Sequence, residues 1–220
     1  MSVEENLKDI QDAISAAAES AGRDPADVNL VAVSKKQPDE RIEEALAAGH
    51  RLFGENRVQE AAQRWQERRL QYPDLKLHLI GPLQTNKVKE AVKLFDVIET
   101  LDREKLADAL AKEMAVQGRD LPCFIQVNTG EEEQKAGVPP AQVTAFYDYC
   151  YYECGLKVIG LMCIPPAGEP AALHFALLQK YAAELDLKEL SMGMSADFDK
   201  AIALGATYVR VGTGVFGVRL

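Results

Sequence analysis

Residues 29–35 read NLVAVSK, a short apolar run that ends in Lys35. Pro38 stands near the start of the helical segment that follows, and Gly49 stands just past its end, which is the usual placing of these two residues around a helix. An apolar run followed by an amphipathic helix is the repeating unit of a parallel sheet with crossover helices. The stretch therefore predicts one strand and one helix of an α/β protein.

The same unit recurs along the chain. Eight apolar runs, each followed by a helix candidate, occupy residues 29–35, 51–56, 76–81, 96–101, 122–128, 157–164, 189–195 and 207–212. Eight units in 220 residues favour a (β/α)8 TIM barrel, because an open doubly wound sheet rarely needs eight parallel strands. Ser2 and Glu5 have the spacing of a capping box, and the helix that they begin ends at Gly22. The prediction is a single domain over residues 1–220 with an extra N-terminal helix.

The composition excludes several classes of protein. The net charge is -9 and the basic residues alternate with acidic ones, so no nucleic-acid partner is expected. No stretch approaches the roughly 18 apolar residues of a membrane span, and the acidic opening MSVEENLKDI is unlike a secretory signal. The four cysteines match no zinc module and are expected to be buried free thiols. We expect a cytoplasmic protein.

Polar residues collect at the carboxyl ends of the predicted strands, where barrel proteins place their chemistry. Solvation alone would also explain polar residues at these positions, but several of them share the inward parity of their strand. We therefore predict the functional site at this mouth of the barrel. The residues concerned are Lys35, Glu55, Asn56, Gly81, Gln84, Asn86, Asn128, Met194, Ser195, Arg210, Gly212 and Thr213.

Lys35 is the candidate for covalent chemistry. Side chains alternate along a strand, so Lys35 points with Val31 and Val33, whereas Lys36 points to the other face. If the bulkier set fills the barrel, Lys35 projects into the mouth. A desolvated lysine close to other cations has its neutral amine favoured, and the neutral amine condenses with an aldehyde. The alternative is a solvated lysine on the rim.

The last strand places Tyr208, Arg210 and Gly212 on one face, so Arg210 looks inward and needs a phosphate, a carboxylate or a pyridine nitrogen as acceptor. Residues 212–217 match G-x-G-x-x-G, but the helix and acidic residue that a dinucleotide site requires do not follow. Glycine-rich backbone there, with the Ser195 hydroxyl, predicts a phosphate site.

Two further features have two interpretations each. His78 lies within the third strand, where it is either a cofactor contact or a satisfied core histidine. The charged loop at residues 129–137 is either a lid or a solvated loop.

Five motifs together resemble the pyridoxal phosphate homeostasis protein family, which is related to the barrel domain of alanine racemase. They are AVSK at residues 32–35, FGEN at 53–56, HLIGPLQTNK at 78–87, GMSAD at 193–197 and VRVGTGVFG at 209–217. The resemblance covers nearly the whole chain. One departure concerns Gln37, because the family commonly has a second lysine at this position. Lys36 lies at the opposite parity, so whether it replaces that lysine stays open.

The resemblance implies that pyridoxal 5'-phosphate (PLP) forms a Schiff base with Lys35 and that Asn56 lies beside its ring. Arg210 would face the ring nitrogen and leave it unprotonated, which weakens the ring as an electron sink. The cofactor phosphate would be held by Ser195, Gly212 and Thr213. His78 and Met194 complete the predicted set of cofactor-binding residues.

The resemblance also implies a function: a monomer that carries or regulates PLP, supplies it to PLP-dependent apoenzymes and has little or no catalytic activity. An amino-acid racemase is the first alternative. Racemases of this fold add a β-domain and use a tyrosine from the partner subunit as a second acid/base, and neither is expected here. A cofactor-free aldolase that uses Lys35 on a sugar phosphate is the second alternative.

Overall fold

A computed structural model describes residues 2–217; Met1 and residues 218–220, which the predicted domain includes, lie outside the described residues. Eight parallel strands close into a barrel in chain order, and β1 pairs with β8. The strands are β1 Asn29–Val33, β2 Leu52–Glu55, β3 Lys76–Leu79, β4 Val97–Leu101, β5 Cys123–Val127, β6 Val158–Cys163, β7 Glu189–Met194 and β8 Tyr208–Val211. The predicted (β/α)8 barrel is confirmed.

Each strand lies inside its predicted run. The strands are shorter than the runs because the polar residues at the carboxyl ends leave the hydrogen-bonded ladder and enter the loops. Lys35, Asn56, Ser195 and Gly212 all follow a strand in this way.

Helices surround the barrel and separate its strands along the chain. They are α1 Val3–Ser20, α2 Asp39–Ala47, α3 Val58–Trp65, α4 Arg68–Gln71, α5 Val88–Leu94, α6 Glu104–Gln117, α7 Val143–Asp148, α8 Ala171–Glu184, α9 Phe198–Ala203 and α10 Thr213–Phe216. A π-helical segment, Tyr149–Glu153, extends α7. Within residues 2–217, no helix has both the length and the apolar character that a bilayer span requires.

The extra helix α1 has the predicted capping box. The Ser2 hydroxyl accepts from the Glu5 backbone N–H at 3.1 Å, and the Glu5 carboxylate accepts from the Ser2 N–H at 2.8 Å. Asn6 Nδ2 donates to the carbonyl of Val215 in α10 at 2.9 Å. Arg41 of α2 donates to the carbonyl of Phe216 at 2.5 Å. These contacts fix α10, the helix that begins at Thr213.

The main hydrophobic core lies between the barrel and its helices. A smaller apolar cluster consists of Val97, Phe124 and Met162, with Tyr208 packed against it. The Tyr208 and Phe124 rings meet edge to face with their centroids 5.6 Å apart. The four side chains come from β4, β5, β6 and β8, and the inward parity of Tyr208 in β8 places this cluster inside the barrel.

Three cysteines, Cys123, Cys150 and Cys163, are buried free thiols, and Cys154 is a half-buried one. Burial raises the pKa of Cys123 and of Cys163 to about 12 in each case, so both remain protonated at neutral pH. Buried thiols were predicted, and the structure confirms them for these three.

Candidate functional site

A small cavity of about 190 Å³ opens at the carboxyl ends of the strands. Seven of the eight residues predicted to bind a cofactor line it together, and apolar side chains complete its wall. The lining consists of Val33, Lys35, Asn56, Ile80, Ile164, Met194, Ser195, Arg210, Gly212 and Thr213. A larger hollow of about 750 Å³ lies at the amino-terminal end of the barrel. We place the chemistry in the small cavity because an amine, a guanidinium and two hydroxyls converge there.

Side chains of β2 and α3 hold the turn that carries Lys35 through hydrogen bonds. Ser34 Oγ donates to Glu55 Oε1 at 2.7 Å, which anchors the residue before the lysine. Arg64 of α3 donates to the Ser34 carbonyl at 2.9 Å and to the Gln37 carbonyl at 3.0 Å. The chain turns sharply at Lys36, whose φ is 57°. Lys35 therefore lines the cavity from a fixed turn.

Lys36 is exposed, as its parity predicts, and Gln37 is buried. Neither residue is among the described residues that line the cavity.

Glu55 is a buried carboxylate that serves this turn. Its Oε1 accepts from Ser34 and, at 3.0 Å each, from Arg64 Nη1 and from the indole N–H of Trp65. The Glu55 side chain is completely buried, so the Arg64 guanidinium supplies the positive charge that a buried anion requires. The sequence indicated Glu55 as a strand-end residue, and the structure gives it a supporting position outside the cavity.

Arg210 points inward, as its parity predicts, and is 4% exposed. It donates from Nη1 to Ser191 Oγ at 2.6 Å and from Nη2 to the Cys163 carbonyl at 2.8 Å. A carboxylate oxygen of Glu99 lies 4.0 Å from Nη1. The protein itself therefore supplies two of the acceptors that this buried arginine requires, Ser191 Oγ and the Cys163 carbonyl.

Glu99 is a functional candidate that the sequence reasoning missed. It lies in the middle of β4, completely buried, and accepts from Ser191 Oγ at 2.6 Å. Its other oxygen lies 2.6 Å from His78 Nδ1. Burial raises the pKa of Glu99, but the hydrogen bond from His78, the charges of His78 and Arg210 and the Ser191 hydroxyl together bring it below its ordinary value. The sequence feature that could have identified Glu99 is a glutamate inside an apolar run, since a buried carboxylate must have hydrogen-bond partners.

His78 is the predicted residue that the structure keeps away from the cavity. It faces Glu99 in the barrel interior, and its ring centroid lies 5.4 Å from that of Tyr208. It contributes instead to the wall of the hollow at the amino-terminal end. This position corresponds to the satisfied core histidine, which was the alternative interpretation.

The loops after β7 and β8 bring Ser195, Gly212 and Thr213 to the wall of the cavity. The Met194 backbone N–H donates to Asp197 Oδ1 at 2.6 Å, which closes the turn that holds Ser195. Gly193, before this turn, has a φ of 91°, and an added Cβ would lie 2.5 Å from Ala201. Only glycine permits this approach of β7 to α9, so Ser195 lies in a closely packed turn.

Asn56 is the remaining polar wall residue. An added Cβ at Gly81 would lie 2.2 Å from the Asn56 carbonyl, so the glycine permits the two loops to touch. The Asn56 Oδ1 atom is buried and has no hydrogen-bond partner within the part of the chain that the structure describes. A buried amide oxygen without a partner is suited to a ligand that brings a hydrogen-bond donor.

The loop at residues 129–137 folds back on β5. Its backbone is held by Gln126, which donates to the Ala136 carbonyl at 3.2 Å, and by Asn128, which donates to the Glu132 carbonyl at 2.9 Å. No residue of this loop is among the described residues that line the cavity. Both interpretations of the loop, a lid and a solvated segment, remain predictions.

Comparison with known proteins agrees with this geometry. The chain is 41% identical to the pyridoxal phosphate homeostasis protein of Pseudomonas aeruginosa, over 99% of this chain and 96% of that one. A solved structure of PipY from Synechococcus elongatus PCC7942 with PLP bound is 39% identical, with a TM-score of 0.85 over 98% of this chain and 100% of that one.

An alanine racemase of Clostridium difficile is 13% identical, with a TM-score of 0.73 over 99% of this chain and 56% of that one, which shows a shared fold alone. The profile of the family described as "Alanine racemase, N-terminal domain" matches residues 6–220. By this match and by the full-length identity to its relatives, the chain belongs to the alanine racemase N-terminal domain family and, within it, to the pyridoxal phosphate homeostasis proteins.

Proposed function

We propose that this protein binds PLP through Lys35 and acts in PLP homeostasis as a carrier or regulator of the cofactor. One observation carries the proposal: an amine, a buried guanidinium and two hydroxyls meet in one small cavity at the mouth of the barrel. PLP offers an aldehyde, a ring nitrogen and a phosphate, and each has a matching group in this wall. The relative with PLP bound supports the same assignment.

Each wall residue has a part in this proposal. The Lys35 amine would condense with the aldehyde, with release of water, and Arg210 would donate a hydrogen bond to the ring nitrogen. The hydroxyls of Ser195 and Thr213 and the backbone at Gly212 bind the phosphate. Asn56 and Met194 would lie beside the ring, where the unpartnered Asn56 Oδ1 atom would accept from a donor of the cofactor.

The same wall favours a carrier over a racemase. Bound PLP supplies an electron sink, and Arg210, which cannot give up its proton, keeps a proton off the ring nitrogen and weakens that sink. A racemase moves protons on both faces of its substrate and so needs two acid/base groups. Among the described residues that line the cavity, only Lys35 has a side chain of this kind.

A cofactor-free aldolase would share the lysine and the phosphate site with the PLP carrier. An absorption spectrum separates these two functions.

The proposal also covers the recipients of the cofactor, the oligomeric state, the domain organisation and the cellular compartment. We expect PLP-dependent apoenzymes as the recipients, a monomeric carrier and a single domain around this barrel. Free thiols such as Cys123 and Cys163 support work in the reducing cytoplasm.

The first test is the absorption spectrum of purified protein with PLP. The wild type should be yellow, and Lys35→Ala should lose the visible band because no other amine lines the cavity within the described residues. Borohydride reduction and peptide mapping should label the peptide that contains Lys35. Lys36→Ala is the matched control, since this neighbour is exposed, and it should keep the band. Wild-type protein that takes up no PLP would contradict the proposal.

The carrier role has its own test. PLP-loaded protein is mixed with a PLP-dependent apoenzyme, and the recovery of the apoenzyme's activity is measured. Loaded wild type should restore activity, whereas borohydride-reduced protein should not, because the reduced bond cannot release the cofactor. Inversion of alanine or serine enantiomers by the protein itself, at rates of a dedicated enzyme, would favour the racemase instead.

A further inference from the structure

A chain of polar side chains crosses the interior of the barrel beneath the cavity. It begins at His78 on β3, passes through Glu99 on β4 and Ser191 on β7, and ends at Arg210 on β8. Each of the three links is 2.6 Å long, and all four side chains are buried. Of these four residues, Arg210 alone lines the cavity.

The Ser191 hydroxyl lies between two opposite charges. Its oxygen accepts from Arg210 Nη1, and its hydrogen is donated to Glu99 Oε2. The Nη1 and Oε2 atoms therefore stay 4.0 Å apart. An arginine and a carboxylate in direct contact approach to about 2.8 Å. The hydroxyl thus works as a spacer between the two ions.

We infer that Ser191 is a positioning residue, whose hydroxyl holds the Arg210 guanidinium at the cavity wall instead of letting it close onto Glu99. The inference rests on the proposed function, since it concerns the hydrogen bond from Arg210 to the cofactor's ring nitrogen. The Cys163 carbonyl holds the second arm of the guanidinium at 2.8 Å. An arginine has five N–H groups, and the N–H groups that Ser191 and Cys163 leave over are the ones that would serve the ring.

Loss of the hydroxyl should move the guanidinium. Attraction between two unscreened charges in a buried site is strong, so Arg210 should approach Glu99 by about one ångström in Ser191→Ala. A hydrogen bond to the ring nitrogen does not survive a displacement of this size without lengthening and bending.

The experiment combines a binding titration with the nitrogen-15 NMR signal of PLP labelled at its ring nitrogen. In Ser191→Ala we expect the dissociation constant for PLP to rise about tenfold. The ring-nitrogen signal should move toward that of a pyridine without a donor, while the visible band from the bond to Lys35 persists. Ser191→Thr keeps the hydroxyl and should restore both values.

A double variant tests whether the Glu99 carboxylate attracts the Arg210 guanidinium. In Ser191→Ala with Glu99→Gln, the neutral amide no longer attracts the guanidinium, so the ring-nitrogen signal should return toward the wild-type position. A signal that stays where Ser191→Ala alone puts it would overturn the spacer role.

Thr207→Val is the matched control because it removes a hydroxyl that joins the same two strands at their other end. Thr207 Oγ1 accepts from the Leu190 backbone N–H at 2.9 Å, far from the cavity. This variant should lower the melting temperature and leave PLP affinity and the ring signal unchanged. Wild-type affinity and signal in Ser191→Ala would sink the inference and leave the proposed function standing, whereas wild-type protein without PLP uptake would contradict the proposed function itself.

Discussion

Glu99→Ala should lower the free energy of unfolding by roughly 3–5 kcal/mol, because it leaves the buried Arg210 guanidinium without its counter-charge. The substitution also takes an acceptor from Ser191 and from His78. For a chain of this length, the melting temperature should fall by roughly 6–20 °C. Urea unfolding and calorimetry measure both quantities.

Glu90→Ala is the control for this variant. Glu90 is half exposed and pairs with Lys87 at the surface, where removal of an ion pair costs at most about 1 kcal/mol. A Glu99→Ala protein as stable as the Glu90→Ala protein would show that Arg210 does not depend on the carboxylate.

The same carboxylate gives stability a pH dependence. The pKa of Glu99 is lower in the folded protein than its ordinary value, so the unfolded chain binds more protons in acid. The stabilisation is fully present above the unfolded pKa of about 4.3 and is lost as the pH falls through the folded pKa. Glu99→Gln lacks this contribution, and its unfolding free energy should decline less steeply below about pH 4.

The second large effect is expected for Arg64→Ala, which leaves the Glu55 carboxylate buried without a cation. We expect a loss of roughly 3–5 kcal/mol in the free energy of unfolding. Arg64 also holds the Ser34 and Gln37 carbonyls, so the turn that carries Lys35 should loosen. PLP uptake, followed by the visible band, should weaken together with stability.

Arg57→Ala is the matched control because Arg57 immediately precedes α3, the helix that contains Arg64. Its side chain is 72% exposed and pairs with Glu60 at the surface. The change in unfolding free energy should stay within about 1 kcal/mol. If the Arg57→Ala and Arg64→Ala proteins were equally stable, the pair of Glu55 and Arg64 would not stabilise the turn that carries Lys35.

The sequence predicted the parts of the fold that depend on local pattern. Eight apolar runs with helices between them indicated the barrel, and the alternation of side chains indicated that Arg210 faces inward and that Lys35 and Lys36 separate. The motif resemblance brought together residues from five strands or the loops that follow them. The barrel and the direction of these side chains follow from the period of each element and need no knowledge of which strands face one another.

The polar chain beneath the cavity needs that knowledge. Ser191 and Glu99 are 92 residues apart and meet only because β4 and β7 lie across the barrel from each other. Alternation along a strand shows that a side chain points into the barrel. It does not show at which level along the barrel axis the side chain lies or which side chain of another strand it contacts. His78 was therefore predicted at the cavity, whereas its carboxylate partner holds it in a deeper layer.

The contact between Asn6 and Val215 joins residues 209 positions apart in the chain. The Asn6 amide thus ties α1 to α10, the short helix that begins at Thr213, so this part of the cavity wall is complete only when Asn6 and Val215 have met. During synthesis, a nascent chain that has not yet reached Val215 lacks this contact. Under the proposed function, we expect PLP to bind only after α10 has been synthesised.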